Sequence, residues 1–347
     1  MPLYHYALVL GVSFGLAVIL TPLIARLGRQ WGIVDRPGGR RSHEGAIPRL
    51  GGVGVFVAFA VAVAVATWRG WLTAGYGPND LLRLKGLLVG SSIAAIFGLV
   101  DDRFDLPAAP QFAFQFVLSS IALVTLLWLE RFTLPWVGTI RLNDYPWGPF
   151  VYGPLTVLWM MGMINTVNWL DGLDGLAAGV GVILCLVLTV HMQFLADQPQ
   201  PSVALLPLAL AGALVGFLPF NVAPARVFLG SAGAFFLGYA LAALGLIAGG
   251  RTATVLMVMG LPIVDVAWQI FDRLRRRRSP VKGDRGHLHY RLLDLGLSKR
   301  CIVLLYWCFC ALFGFLALIA APWQKLIALV GIGVIVVLVL VSLSGDE

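Results

Sequence analysis

Apolar runs of roughly the length a helix needs to cross a hydrocarbon core, about 20 residues, alternate with short polar segments along the whole chain. They fall near residues 3–25, 50–68, 82–100, 111–130, 152–167, 175–193, 203–219, 231–249, 253–271, 301–320 and 325–343. The pattern predicts about eleven membrane-spanning helices, with ends placed to within a few residues. The polar segments alternate in charge. Segment 26–49 carries Arg26, Arg29, Arg36, Arg40, Arg41 and Arg49, and segment 272–300 carries Arg273, Arg275 to Arg278, Lys282, Arg285, Arg291, Lys299 and Arg300. Segments of the other parity, 69–81, 131–151, 193–202 and 249–252, hold few basic residues. Because basic loops stay cytoplasmic, the N-terminus is expected outside and the C-terminus inside. The gaps leave no room for a soluble domain, so residues 1–347 are read as one all-α polytopic helical bundle. Its cytoplasmic loops lie near 26–49, 101–110, 168–174, 220–230 and 272–300.

Composition agrees: 59% of residues are hydrophobic and 12% charged, outside the range of soluble domains. The net charge of +8 resides in the cytoplasmic loops, so it marks topology and not a nucleic-acid partner. Cys185, Cys301, Cys308 and Cys310 lie in apolar runs without zinc-site spacing and are read as buried, reduced thiols. The first run has no basic stretch before it and no small-residue cleavage site after it, so it is expected to be a retained span.

Against this apolar background the stretch Asn165 to Ala177, NTVNWLDGLDGLA, stands out. Ionisable groups at the end of a membrane segment are costly unless they pair, reach water or hold an ion. Asn165, Asn168, Asp171 and Asp174 recur every third residue. On an unbroken helix the first and last would face opposite ways. Gly172 and Gly175 are therefore expected to loosen the helix and let all four line one mouth. The plainer reading is that one Asp caps the following helix.

The other polar clusters lie on the same, cytoplasmic, side. Asp101, Asp102 and Asp105 end an apolar run with Arg103 between them. Adjacent carboxylates repel unless a cation neutralises them, and hard oxygen ligands at the water boundary suit Mg²⁺. A solvated helix end is the alternative. Gly51, Gly52 and Gly54 after Pro48 and Arg49 suit either a backbone approach to phosphate or close helix packing. Arg226, beyond Asn221 and Pro224, is read as a phosphate-holding cation or a topological anchor, and Phe228 as a stacking face or an interfacial aromatic. His287 and His289, flanked by Arg285 and Arg291, are placed to meet one anion or receive a proton. Zinc fits poorly, with no further His or Cys nearby. Asp265, inside an apolar run, needs a partner, for which an Arg or an ordered water is expected.

Taken together, DRPGGRRSHEGAIPRLGG, DDRFDL, NTVNWLDGLDGLA, FNVAPARVFLG and DRGHLHYRLLDLGLS, in this order, resemble the markers of the polyprenyl-phosphate N-acetylhexosamine-1-phosphate transferases. The resemblance covers nearly the whole chain, and the last marker is similar to the branch that uses UDP-N-acetylglucosamine or a related UDP-hexosamine. It implies an enzyme of the bacterial inner membrane that begins a cell-surface glycan at its cytoplasmic face. The phosphate of a polyprenyl (undecaprenyl) lipid would attack the sugar-bound phosphate of the UDP-sugar and release UMP. Mg²⁺, or Mn²⁺ in its place, is the implied cofactor, and a homodimer is compatible with the family. Carried over to this chain, Asp101 and Asp102 act at the attacking phosphate or the metal, and Asn168 ligates the metal. Asp171 and Asp174 contact the nucleotide and Phe228 stacks on uracil. Asn221, Arg226, Arg285, His287 and His289 line the phosphates. Three positions depart from the pattern: Ser231 stands where the family has its metal-binding Asp, Gln111 where it has Lys, and Tyr290 where it has a third His. These departures motivate the alternative of a relative that binds the same substrates without turnover.

Overall fold

The computed structural model describes residues 1–36, 45–73, 76–134, 136–195, 199–247, 251–277, 279 and 286–342. Each predicted apolar run is a helix: α1 (Leu3–Gln30), α2 (Gly51–Trp68), α3 (Pro78–Phe104), α4 (Ala108–Val124), α5 (Gly148–Leu170), α6 (Leu176–Val190), α7 (Leu205–Asn221), α8 (Gly230–Ile247), α9 (Thr252–Val258) with α10 (Gly260–Arg275), α12 (Lys299–Ile319) and α13 (Pro322–Ser342). A short α11 (Leu288–Asp294) precedes α12. Among the described residues eight helices are long and apolar enough to cross a membrane, and the bent α9–α10 pair makes a ninth. The apolar helices α4 and α7 fall short of that length. The chain is a multi-pass helical membrane protein. Of the four thiols expected to be buried, Cys185 and Cys310 are, whereas Cys301 and Cys308 are exposed on the outer side of α12, where an apolar run meets lipid and not a protein neighbour.

Two small antiparallel ribbons interrupt the helices. One pairs β1 (Val34–Asp35) with β2 (Ile47–Pro48), and the other pairs β3 (Arg131–Leu134) with β4 (Gly138–Arg141). The first brackets the basic loop and delivers Arg49 to the start of α2.

The axis of the bundle is α8, whose spanning window is 94% buried. A helix that is apolar all round belongs in a core, and α2, α3 and α5 pack against this one. Small residues make the approach close. A Cβ on Gly52 would lie 2.0 Å from the Cα of Gly233, and one on Gly98 would lie 2.4 Å from the Cα of Ala232. The neighbour in both cases is backbone, which cannot step aside. Gly52→Ala is therefore expected to destabilise the protein by about 3 kcal/mol, read as a lowered melting temperature of the purified chain. The Gly51 and Gly52 amides donate to the carbonyls of Phe228 (3.0 Å) and Leu229 (2.8 Å). Of the two sequence readings of this glycine stretch, close packing is the one observed.

The predicted single span over 253–271 is instead broken, with α9 and α10 at 80°. Pro262 sits in the first turn of α10 and has no N–H to continue the α9 ladder. Beyond the bend, α10 turns its polar residues Asp265, Gln269, Asp272 and Arg273 into the protein and leaves Phe271 and Leu274 exposed. Such an inverted face suits a helix whose surroundings are lipid.

Candidate active site

The site is assembled where α3 ends and α8 begins. The first amides of a helix lack intrahelical partners and carry partial positive charge. Asp102 supplies what α8 lacks: its Oδ1 accepts from the Ser231 N–H and its Oδ2 from the Ala232 N–H, both at 2.9 Å. Arg49 closes the other side, with Nε 3.3 Å from Asp102 Oδ1 and Nη1 3.0 Å from Asp105 Oδ1. Burial works against the charge of Arg49, but Asp102, Asp105 and Asp35 outweigh it and hold its pKa above the ordinary arginine value. The main chain beside Arg49 is held as well, since the Phe228 N–H donates to the Pro48 carbonyl at 2.8 Å. Asp101 is oriented separately. Its Oδ1 accepts from Gln111 Nε2 (2.9 Å) and from the Leu106 N–H (3.1 Å). Gln111 thus hydrogen-bonds Asp101 from the position where a Lys was expected.

The stretch singled out by its polarity forms the facing wall. Helix α5 runs unbroken to Leu170, the chain turns through Asp171 to Asp174, and Gly175 at φ +83° starts α6. Asp171 is half-buried. Desolvation, then the Asp102 and Asp174 carboxylates, raise its pKa well above the usual range, while Arg49 and the Gly230 amide act in the opposite sense. Asp174 Oδ2 accepts from the Ala225 N–H at 3.1 Å. Asn221 accepts from the Gly175 N–H (3.1 Å) and donates to the Val227 carbonyl (3.0 Å), stitching this turn to segment 222–227. Arg226 is exposed on that segment and Phe228 is half-buried. Asn168 is half-buried, and its side-chain amide has no hydrogen-bond partner among the described residues.

The expected convergence of all four polar residues on one mouth does not occur. The helix breaks at the glycines as anticipated, but only after Asn165, which therefore keeps its helical direction and faces α4. There its Nδ2 donates to Gln115 Oε1 at 2.6 Å and its Oδ1 accepts from Gln115 Nε2 at 3.2 Å.

The last loop packs onto the same turn. His287 Nδ1 lies 3.0 Å from Asp265 Oδ2, and the Leu288 N–H donates to Asp265 Oδ1 at 2.9 Å. The partner of Asp265 is thus a histidine and an amide, not the arginine or water expected from sequence. The rings of His287 and His289 stack 5.7 Å apart, and Trp169 lies 5.7 Å from His287. The Tyr290 hydroxyl donates to the Gly172 carbonyl at 3.4 Å. His289 is 1% exposed, and neither ring nitrogen has a hydrogen-bond partner among the described residues. Burial pushes its pKa down to about 3, Asp265 opposing and His287 reinforcing the shift. The unfolded chain, with an ordinary His pKa near 6.5, binds a proton that the folded chain refuses. Stability from this residue is complete above pH 6.5 and is lost as pH falls toward 3. Unfolding measured at pH 8 and pH 5 should differ by about 2 kcal/mol from this residue, and His289→Phe should remove that difference. Arg285 lies outside the described residues.

Arg49, Gln115 and Asp265 escaped the sequence-based site. Arg49 offered a signal, as the last basic residue before the glycine stretch that packs on α8. Gln115 offered only its polarity within an apolar run.

Among the described residues no group of three or more His, Cys, Asp or Glu side chains is placed to hold a metal. The donor set still fits a hard cation that takes few protein ligands. Asp171 is crowded by two carboxylates, and Asn168 beside it has an uncommitted amide oxygen. Mg²⁺ is commonly held by one or two carboxylates, with substrate phosphates and waters filling the remaining positions.

A carboxylate cluster at one end of a lipid-facing bundle defines a membrane protein with a polar site at the ends of its spans. Residues 84–249, from α3 to the end of α8, match the model of the family described as Glycosyl transferase family 4. The chain is 31% identical over 316 residues to the Bacillus subtilis (strain 168) protein named "Probable undecaprenyl-phosphate N-acetylglucosaminyl 1-phosphate transferase", covering 89% of this chain and 82% of the relative. It is 32% identical over 339 residues to "Decaprenyl-phosphate N-acetylglucosaminephosphotransferase" of Mycolicibacterium smegmatis, covering 90% and 82%. With "Undecaprenyl-phosphate alpha-N-acetylglucosaminyl 1-phosphate transferase" of Escherichia coli (strain K12) it shares 26% over 286 residues, covering 79% and 73%. The chain belongs to the polyprenyl-phosphate N-acetylhexosamine-1-phosphate transferase family.

Proposed function

We propose that the protein transfers N-acetylglucosamine 1-phosphate from UDP-N-acetylglucosamine to undecaprenyl phosphate, releasing UMP, at the cytoplasmic face of the bacterial inner membrane. The observation that carries this reading is the meeting of Asp171, Asp102 and Arg49 at the start of α8. The names of the relatives support the transferred group and the lipid acceptor, the motif resemblance suggests the UDP donor, and the basic loops on the site side suggest the orientation.

In the reaction an oxygen of the lipid phosphate attacks the sugar-bound phosphorus, and the bond from that phosphorus to the bridging oxygen of UMP breaks. Both partners are anionic, so positioning and charge neutralisation carry most of the catalysis. A bound Mg²⁺ would supply neutralisation at the diphosphate, held by Asn168 and Asp171. The chain's own residues do the rest. Asp102 fixes the α8 terminus and Arg49. Asp101, whose Oδ2 has no hydrogen-bond partner among the described residues, is the carboxylate able to take a proton from the attacking phosphate. Arg226 and His287 would line the nucleotide phosphates, and Asp265 holds His287 in one orientation. A binding-only relative is the second reading, favoured by Ser231 alone.

Purified protein supplied with labelled UDP-N-acetylglucosamine, undecaprenyl phosphate and Mg²⁺ should yield lipid-linked sugar and UMP. Binding without either product establishes the second reading. Asn168→Ala should reduce turnover about 100-fold, and unchanged turnover and nucleotide binding would remove Asn168 from the site.

A further inference from the structure

The buried amide pair between α4 and α5 has no place in the chemistry above, yet both its members lie on elements that end at the site. Gln115 is fully buried and Asn165 is 8% exposed. Their two amides exchange hydrogen bonds at 2.6 and 3.2 Å, and Asn165 Nδ2 also donates to the Met161 carbonyl of its own helix at 2.8 Å. One turn before Gln115 on α4 stands Gln111, which orients Asp101. One turn after Asn165 on α5 stands Asn168, followed by Asp171 where the helix stops. A connected path therefore runs from Asp101 through Gln111 and α4 to the amide pair, and from there through α5 to Asn168 and Asp171.

We propose that Gln115 and Asn165 are positioning residues that clamp the register of α4 against α5, and so set the separation of the two carboxylate turns. Apolar helices in a bundle can slide, because one leucine contact replaces another at little loss. A reciprocal amide pair has one good alignment, and a slip of one turn, about 5.4 Å, leaves buried donors and acceptors unpaired. Such pairs add modestly to stability in membrane bundles, while a single buried polar contact can fix the register of packed helices. Asn165 on this view does not touch substrate. Its amide is committed to α4, and its contribution reaches the reaction only through the placement of Asn168 and Asp171.

The inference rests on the transferase reading, so its test carries a readout that needs no turnover. Full-length protein in lipid nanodiscs is compared as wild type, Gln115→Leu, Asn165→Leu, the double Leu variant, and the exchanged pair Gln115→Asn with Asn165→Gln. Both single variants should lower kcat by a similar factor, about 100-fold for a misplacement near 1 Å, with KM for UDP-N-acetylglucosamine within about 3-fold. The double Leu variant should be no slower than either single one, since the clamp is broken only once, and should keep the wild-type melting temperature. The exchanged pair should recover most of kcat. Amide hydrogen exchange over residues 101–106 and 171–175 should speed up in the variants that lose kcat and not over α7. The clamp is overturned if Asn165→Leu raises KM while Gln115→Leu is neutral, which makes Asn165 a substrate contact. It is equally overturned if the exchanged pair stays as slow as the single variants, or if kcat and exchange at both turns are unchanged. Wild-type protein without turnover breaks the transferase reading instead, and exchange at the two turns then decides the clamp alone. Should a single variant not fold, the double Leu and exchanged variants decide it by the same comparison.

Discussion

Asp102→Ala should lose both fold stability and turnover, and it should lose more than any other single carboxylate change. The carboxylate accepts two α8 amides at 2.9 Å and an ion pair from Arg49, with its side chain fully shielded from solvent. Truncation leaves two helix-terminal donors unpaired and a guanidinium facing them. Breaking a buried pair from one side costs about 3–5 kcal/mol. Loosening the α8 terminus also lets Ser231 and Gly230 drift away from Asp171, so turnover should fall at least about 100-fold. Asp102→Asn separates the two effects. Its one amide oxygen can still accept from α8, which restores part of the stability, but it cannot hold Arg49, so turnover should stay low. Denaturant unfolding of both variants beside their kcat checks this. If Asp102→Asn is as active as wild type, the charge of Asp102 has no part in the site.

Much of this arrangement could be read before any coordinates, for a physical reason. A lipid core forces backbone groups to pair within helices, so apolar length alone locates the spans, and costly polar residues at span ends mark the site. The Asp101–Asp102 turn and the Asp171–Asp174 turn emerged in this way and do meet. What stayed hidden depends on direction and not on composition. Hydropathy cannot tell a straight span from the bent α9–α10 pair, because Gly260 and Pro262 sit inside an apolar run and change its course without changing its polarity. Asn165 was assigned to the wrong neighbours because its direction depends on where the helix stops, and the stop comes six residues later. Arg49 with Asp102, Gln115 with Asn165 and Asp265 with His287 are pairs between distant segments, and no local spacing announces them.

Ser231→Asp should make the stability of this site depend more strongly on a divalent cation than it does with serine at that position. Position 231 begins α8, and its N–H already donates to Asp102. The proton affinity of Asp171 is raised first by desolvation and then by Asp102 and Asp174, so a further carboxylate enters a site that already disfavours negative charge. A further carboxylate there has two possible fates. Without a cation it repels its neighbours, and the melting temperature in chelator should drop by about 4 °C for each 1–2 kcal/mol of repulsion. With Mg²⁺ it becomes a hard ligand alongside Asn168 and Asp171. Binding at 100 times the dissociation constant then returns about 2.7 kcal/mol, enough to reverse the drop. The wild-type chain, with a hydroxyl in that place, should show a smaller melting shift over the same Mg²⁺ titration and a weaker half-saturation for turnover. Equal Mg²⁺ shifts in the two proteins would show that the cation sits away from the α8 terminus, and that serine at 231 is neutral to the chemistry.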